Sequence, residues 1–124
     1  MSSKKSQKTS YAISEDKAIS VITESNQLKK RAENLLKQYL CEDPPLRYKE
    51  KAVPLLAEYM TNSNFYSELM ESILFSDNRI EDKASGKENI MISDKDFELI
   101  MSYIAVTAAC ENELETVGIS MRLH

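Results

Sequence analysis

The sequence predicts an all-α fold, a small antiparallel bundle of about four helices, from three observations. The 124 residues include only two glycines and three prolines, whereas the helix formers Ala, Leu, Glu, Lys and Met are plentiful. Apolar residues recur at steps of three or four, which is the spacing of one helix face. Most breaks between these patterns are short, so we expect neighbouring helices to run antiparallel.

The longest pattern runs from Ser14 to Leu40. Ser14 is a suitable N-cap, and Glu15 and Asp16 place negative charge at the positive end of the helix dipole. We expect the helix to end at 43–45, because a residue before proline is disfavoured in the α region. Its apolar stripe is expected to face the last helix, and the alternative is a seam with a second chain. The stripe comprises Ala18, Val21, Ser25, Leu28, Ala32, Leu35 and Tyr39.

The middle of the chain predicts two further helices. Pro54 is expected to kink or break the segment 46–61, and the polar run 62–64 is a predicted break before a third helix. That third helix, 65–75, is strongly apolar on one side.

Segment 76–92 is the longest predicted irregular segment, because it is polar, charged and contains Gly86. The apolar run 90–92 within it either forms a short extended piece or docks the loop on the bundle.

The last helix is predicted to begin after Ser93, which with Asp96 resembles a capping box. Gly118 is a natural residue to follow its C-terminal end. We therefore divide the chain into a flexible tail at 1–13, a single helical bundle domain at 14–118 and a C-terminal tail at 119–124. The stripe of this helix comprises Phe97, Ile100, Met101, Ile104, Ala105 and Ala108.

The charge of the chain is uneven. The net charge is −4, yet Lys4, Lys5 and Lys8 lie in the first ten residues without an acid. The remaining residues therefore carry −7, and an acidic body repels nucleic-acid phosphates. No apolar run approaches the length of a membrane span and no secretory signal is recognisable. We expect a cytoplasmic protein that does not enter a membrane.

The sequence predicts no catalytic residue, no cofactor and no metal site. His124 is the only histidine and stands last in the chain, so it cannot pair usefully with a cysteine. Cys41 and Cys110 lack the spacing of zinc ligands. A calcium loop begun at Asp77 or Asp82 lacks the glycine that an EF-hand requires at its sixth position.

These observations predict a non-enzymatic interaction protein. We expect a small inhibitor or adaptor, of bacterial or mobile-element origin by its composition, that covers the functional surface of a larger protein. That partner is expected to present a basic surface, and a homodimer is the other option. Core packing is the first explanation for the Tyr and Met residues in the middle of the chain, and an exposed recognition patch is the alternative. The predicted partner-binding residues are Arg47, Tyr48, Tyr59, Met60, Tyr66 and Met70.

Two other functions rest on fewer residues. A nucleic-acid-binding regulator of transcription or replication would use the tail lysines and the basic edge at 47–51. An enzyme that relies on carboxylates alone is the third option, although no pair of acids has a distinctive spacing.

Overall fold

The computed structural model describes residues 11–41 and 49–122. The described part is mostly helical, as predicted, but it contains three helices and a small three-stranded sheet in place of four helices. The expected end of the first helix at 43–45 lies outside the described residues. The elements are β1 (Tyr11–Ser14), α1 (Glu15–Cys41), α2 (Lys49–Leu74), β2 (Arg79–Asp82), β3 (Lys87–Ile92) and α3 (Asp94–Thr116).

The predicted second and third helices are one continuous helix, α2, so the prediction of a break was wrong. Pro54 falls in the second turn of α2, where its missing N–H costs a single backbone hydrogen bond near the helix start. The polar run 62–64 stays helical because its groups bond to the flanking helices. Asn62 Nδ2 donates to Thr107 Oγ1 at 2.7 Å, and Ser63 O accepts from Ser25 Oγ at 3.0 Å.

Much of the segment expected to be an irregular loop is a β-hairpin. Strands β2 and β3 pair antiparallel, and Gly86 in the connecting turn has φ 75°. Strand β3 also pairs with β1, so 11–13, which the sequence assigned to the tail, forms the third strand. Ile90 and Ile92 are buried, as expected if the run 90–92 docks on the helices.

Helix starts follow the local signals in the sequence. The backbone N–H of Lys17 donates to Ser14 Oγ at 3.1 Å, and that of Asp96 donates to Ser93 Oγ at 3.1 Å. Both predicted N-caps are therefore confirmed. Each hydroxyl satisfies a backbone donor that has no partner within the first turn.

The end of α3 reverses the chain through a Schellman motif. Gly118 has φ 87°, a conformation that costs glycine little. Its N–H donates to Glu115 O and the N–H of Ile119 donates to Leu114 O, both at 2.9 Å, which is the bonding pattern of this motif. Ile119 and Met121 are consequently buried, so at least 119–121 packs as part of the core instead of forming a free tail.

Helix α2 lies between the other two helices. It packs against both α1 and α3, which scarcely contact one another, so the first stripe packs mainly on α2 and faces the last helix only across an open space. Hydrogen bonds pair Lys29 with Asn64 and Asn26 with Ser67. The residue numbers rise on one helix as they fall on the other, so α1 and α2 run antiparallel.

Two hydrophobic cores stand at opposite ends of the helices. The first core holds Ala32, Ala52, Leu56, Tyr59, Cys110, Leu114, Ile119 and Met121. The second core holds Ala18, Met70, Ile73, Ile90, Ile92 and Ile100 and packs against the sheet. Between them is a band of polar side chains that we call the polar layer, formed by Ser25, Asn26, Asn62, Ser63, Ser67 and Thr107.

Because Met121 is buried, truncation of its side chain should destabilise the protein, whereas truncation of a residue in a free tail should not. Met121 is 4% exposed, whereas Met101 on α3 is 49% exposed. We expect Met121→Ala to lower the free energy of unfolding by about 2–4 kcal/mol, because a large buried side chain is lost. The matched control Met101→Ala should change it by less than about 0.5 kcal/mol. Urea unfolding measures both values, and equal effects would contradict the packed position of Met121.

Candidate functional site

The main concave surface of interest is a groove between α1 and α3 with α2 as its floor. The groove exists because α1 and α3 each pack on α2 and make few contacts with one another. Along one half, which we call the apolar end, the groove is a cavity of about 300 Å³. The residues that line the apolar end are Val21, Glu24, Ser25, Leu28, Tyr59, Ser63, Tyr66, Ile104, Thr107, Ala108 and Glu111.

Small residues on α1 explain why this groove stays open. Ala18, Ser25 and Ala32 recur every seventh residue and are the buried residues of α1. Small side chains at this spacing let α1 lie close against α2 along one narrow line. The larger Val21 and Leu28 fall beside that line and line the groove while they remain partly buried. The apolar stripe of α1 is therefore only half covered by its own chain.

Helix α3 presents an equally uncovered apolar face. Ile104 is 43% exposed and Met101, one turn earlier, is 49% exposed. Ala108, one turn later, is exposed and lines the groove. Neighbouring apolar residues on a helix that remain open to solvent are typical of interaction surfaces.

The groove continues into an acidic end with a cavity of about 630 Å³. Glu24, Glu111 and Glu115 line this end, and Arg122 is the basic residue that lines it with them. The chain closes over this end after α3, since Arg31 of α1 donates to Ser120 O through Nε at 3.2 Å and Nη2 at 3.0 Å.

A hydrogen bond from the floor of the groove fixes one of these carboxylates. The hydroxyl of Tyr59 donates to Glu111 Oε2 at 2.8 Å. Burial of the phenol, reinforced by this bond and the charge of Glu111, raises the pKa of Tyr59 well above 10.0. The pKa of Tyr66 is also raised, first by burial and then by the charge of Glu24. Two tyrosines of the groove floor thus lie beside carboxylates of the walls.

The thiol of Cys110 faces the first core. Burial, followed by the charge of Glu58 and a hydrogen bond with it, raises the pKa of Cys110 from 9.0 to about 11. A thiol with a raised pKa is a poor nucleophile at neutral pH. Cys110 is therefore a packing residue in this structure.

The predicted partner-binding residues do not form one exposed patch. Met70 is 1% exposed in the second core and the ring of Tyr59 is fully buried, because both face the helices that flank α2. Met60 packs partly buried against the first core, and Tyr66 lines the groove. Arg47 and Tyr48 lie outside the described residues.

The groove residues that sequence reasoning overlooked come from the outer helices. Val21, Leu28, Ile104 and Ala108 were recognised as apolar stripes, yet they were assigned to the interior of a bundle. The seven-residue spacing of the small residues Ala18, Ser25 and Ala32 was the available signal on α1, since it marks which line of that helix approaches a neighbour most closely.

Among residues 11–41 and 49–122, no three His, Cys, Asp or Glu side chains are placed to share a metal ion. No helix in these ranges combines the length and apolarity needed to cross a membrane.

Comparison with known proteins yields no relationship. No family model, curated protein or solved structure matches this chain.

The bond between Tyr59 and Glu111 predicts a distinctive stability profile. Removal of the hydroxyl in Tyr59→Phe should lower the free energy of unfolding by about 1 kcal/mol at neutral pH. The loss is modest because water can then hydrate the carboxylate of Glu111. The raised pKa of Tyr59 means that the unfolded phenol ionises near pH 10.0 while the folded one stays neutral. The stability that the neutral Tyr59 phenol contributes is therefore fully present below pH 10 and is lost as the pH rises further.

Urea unfolding at neutral pH and above pH 10 measures this profile. The wild-type protein should lose stability more steeply above pH 10 than Tyr59→Phe does. Tyr39→Phe, which removes a phenol oxygen from a half-buried ring beside the first core, is the matched control. Parallel curves for the wild type and Tyr59→Phe would contradict the geometry of the bond.

Proposed function

We propose that this protein is a non-enzymatic interaction protein that binds a helix of a larger protein in the groove between α1 and α3. The observation that carries the proposal is the partly uncovered apolar lining of both walls, with exposed Ile104 and Ala108 on α3 facing the side of α1 that holds the half-buried Val21 and Leu28. Grooves of this kind accept the apolar face of an amphipathic helix.

The dimensions of the groove support a helix as its occupant. The described part of the chain provides three helices where a four-helix bundle has one more, and a helix in the groove would contact both α1 and α3. The complex would thus complete a four-helix bundle, with the fourth helix supplied by the partner.

Binding in the groove would cover the partner's helix, and the partner would be inhibited or recruited as a result. We therefore propose an adaptor or inhibitor that acts in the cytoplasm, where its free cysteines, exposed Cys41 and buried Cys110, would stay reduced. The carboxylates in the groove favour a protein partner over nucleic acid, because they would repel phosphate groups.

A pair of substitutions on α3 tests this function. Ile104→Asp places a charge in the apolar end, whereas Leu99→Asp places one on a residue that does not line it. The two side chains are similarly exposed, at 43% and 37%, and they point in different directions because five residues turn a helix by about 140°. Both variants should fold, since each residue is already partly in solvent.

The measurement is quantitative affinity capture from a lysate of the source organism, performed with the wild type and both variants. We expect a protein retained by the wild type to be retained by Leu99→Asp and reduced at least about tenfold with Ile104→Asp, because a charge in an apolar groove is left unpaired. Equal retention by all three forms, or no retained protein, would contradict the proposed function.

A further inference from the structure

The groove becomes more acidic along one direction, and Glu24 and Glu111 line both of its ends. On α3, the wall changes from Ile104 and Ala108 to Glu111 and Glu115 as the residue numbers rise. The distance from Ile104 to Glu115 is about 16 Å at 1.5 Å per residue. A helix of about three turns would therefore contact both ends at once.

The carboxylates at the acidic end lack cationic partners. Within residues 11–41 and 49–122, the ion pairs join other residues, Lys37 with Glu33 and Arg79 with Glu15. Glu111 accepts from the neutral hydroxyl of Tyr59, which orients the carboxylate without neutralising it. The acidic end therefore presents three carboxylates against the one guanidinium of Arg122.

We propose that the occupant of the groove is a cationic amphipathic helix, bound antiparallel to α1 and α3, with Lys or Arg in its N-terminal turns. This inference rests on the proposed function and names the chemistry of the partner. The apolar stripe of the helix would lie on Ile104 and Ala108, and its basic residues would lie near Glu24, Glu111 and Glu115.

Two independent physical arguments give the direction of the bound helix. The N-terminus of a helix carries a partial positive charge, so it is attracted to the end of the groove that holds the carboxylates. An antiparallel orientation to α1 and α3 also gives the up-down-up-down order of a four-helix bundle. Both arguments place the N-terminal turns of the occupant beside Glu111 and Glu115.

A second copy of this chain fits the groove less well than a cationic helix. One exposed apolar face that a second copy could offer is on α3, and that helix also carries Glu111, Glu113 and Glu115. When α3 of the second copy entered the groove, its glutamates would approach the carboxylates of the acidic end, and this like-charge repulsion disfavours association.

The test is a selection from a displayed library of randomised helical peptides, about four turns long, on the wild-type protein with counter-selection on Ile104→Asp. We expect enriched peptides to combine an apolar stripe with Lys or Arg in the N-terminal half. An apolar stripe without that basic preference, or with basic residues in the C-terminal half, would overturn this inference and leave the proposed function intact. Failure to enrich any peptide over Ile104→Asp would overturn both.

A charge-removal variant then measures the contribution of the carboxylates to binding of the most enriched peptide. Glu24→Gln with Glu111→Gln removes two charges, while the amide oxygen that replaces the carboxylate at position 111 can still accept from Tyr59. We expect the Kd to rise about fivefold to tenfold, as for two partly exposed ion pairs, and to depend less on salt. The matched control removes two exposed acids that do not line the groove, Glu71→Gln with Glu98→Gln.

Two results from these variants would overturn the inference. One is an equal Kd for the groove variant and its control, which would show that the carboxylates do not recognise the peptide. The other is concentration-dependent self-association of the wild type that Ile104→Asp abolishes, measured by analytical ultracentrifugation, which would make a second copy the occupant.

Discussion

The polar layer is the constraint on which the arrangement of the three helices depends. Asn62 bonds to Tyr103 O and Thr107 on α3, while Ser63 O accepts from Ser25 on α1. A buried polar group without its partner costs about 1–3 kcal/mol. A shift of either outer helix by one turn would break these bonds and set polar groups against one of the two apolar cores. The layer therefore specifies both the register of the helices and the position of α2 between them.

The groove follows from this arrangement. Because α2 bonds to α1 on one flank and to α3 on the other, the outer helices lie apart. Their apolar residues beside the groove, such as Val21, Leu28 and Ile104, are therefore only partly covered. The first core and the reversed segment 119–122 close the arrangement at the end near Glu115, and the sheet packs against the second core at the other. The partly apolar groove between α1 and α3 is thus a consequence of how the core is built.

Sequence reasoning succeeded where the signals are local. The first and last helices begin after Ser14 and Ser93 because the cap and its donor lie within one turn. It failed at 62–64, where Asn and Ser favour a break unless distant groups occupy their side chains. Strand β1 was equally inaccessible, because it is ordered by pairing with Ile90 and Ile92 of β3, far away in the sequence.

The candidate site was predictable only in part. Periodicity identified Val21, Leu28 and Ile104 as apolar helix positions, and the basic partner stays a prediction. Periodicity does not show which neighbour covers a stripe, so it left both core packing and a recognition patch open for Tyr59 and Met70, which are buried in the structure. The uncovered stripes on α1 and α3 emerge only once the position of α2 is known.

Hydrogen exchange of the backbone amides in α2, followed by NMR, tests the central claim most directly. If the polar layer holds α2 as one helix, the amides of Asn62, Ser63 and Asn64 should be protected to within about tenfold of those in the flanking turns, since all would open in one cooperative unit. Exchange of these three amides at rates close to those of an unfolded chain, between protected flanks, would contradict the account. It would mean that the helix breaks at the polar run and that the groove has no continuous floor.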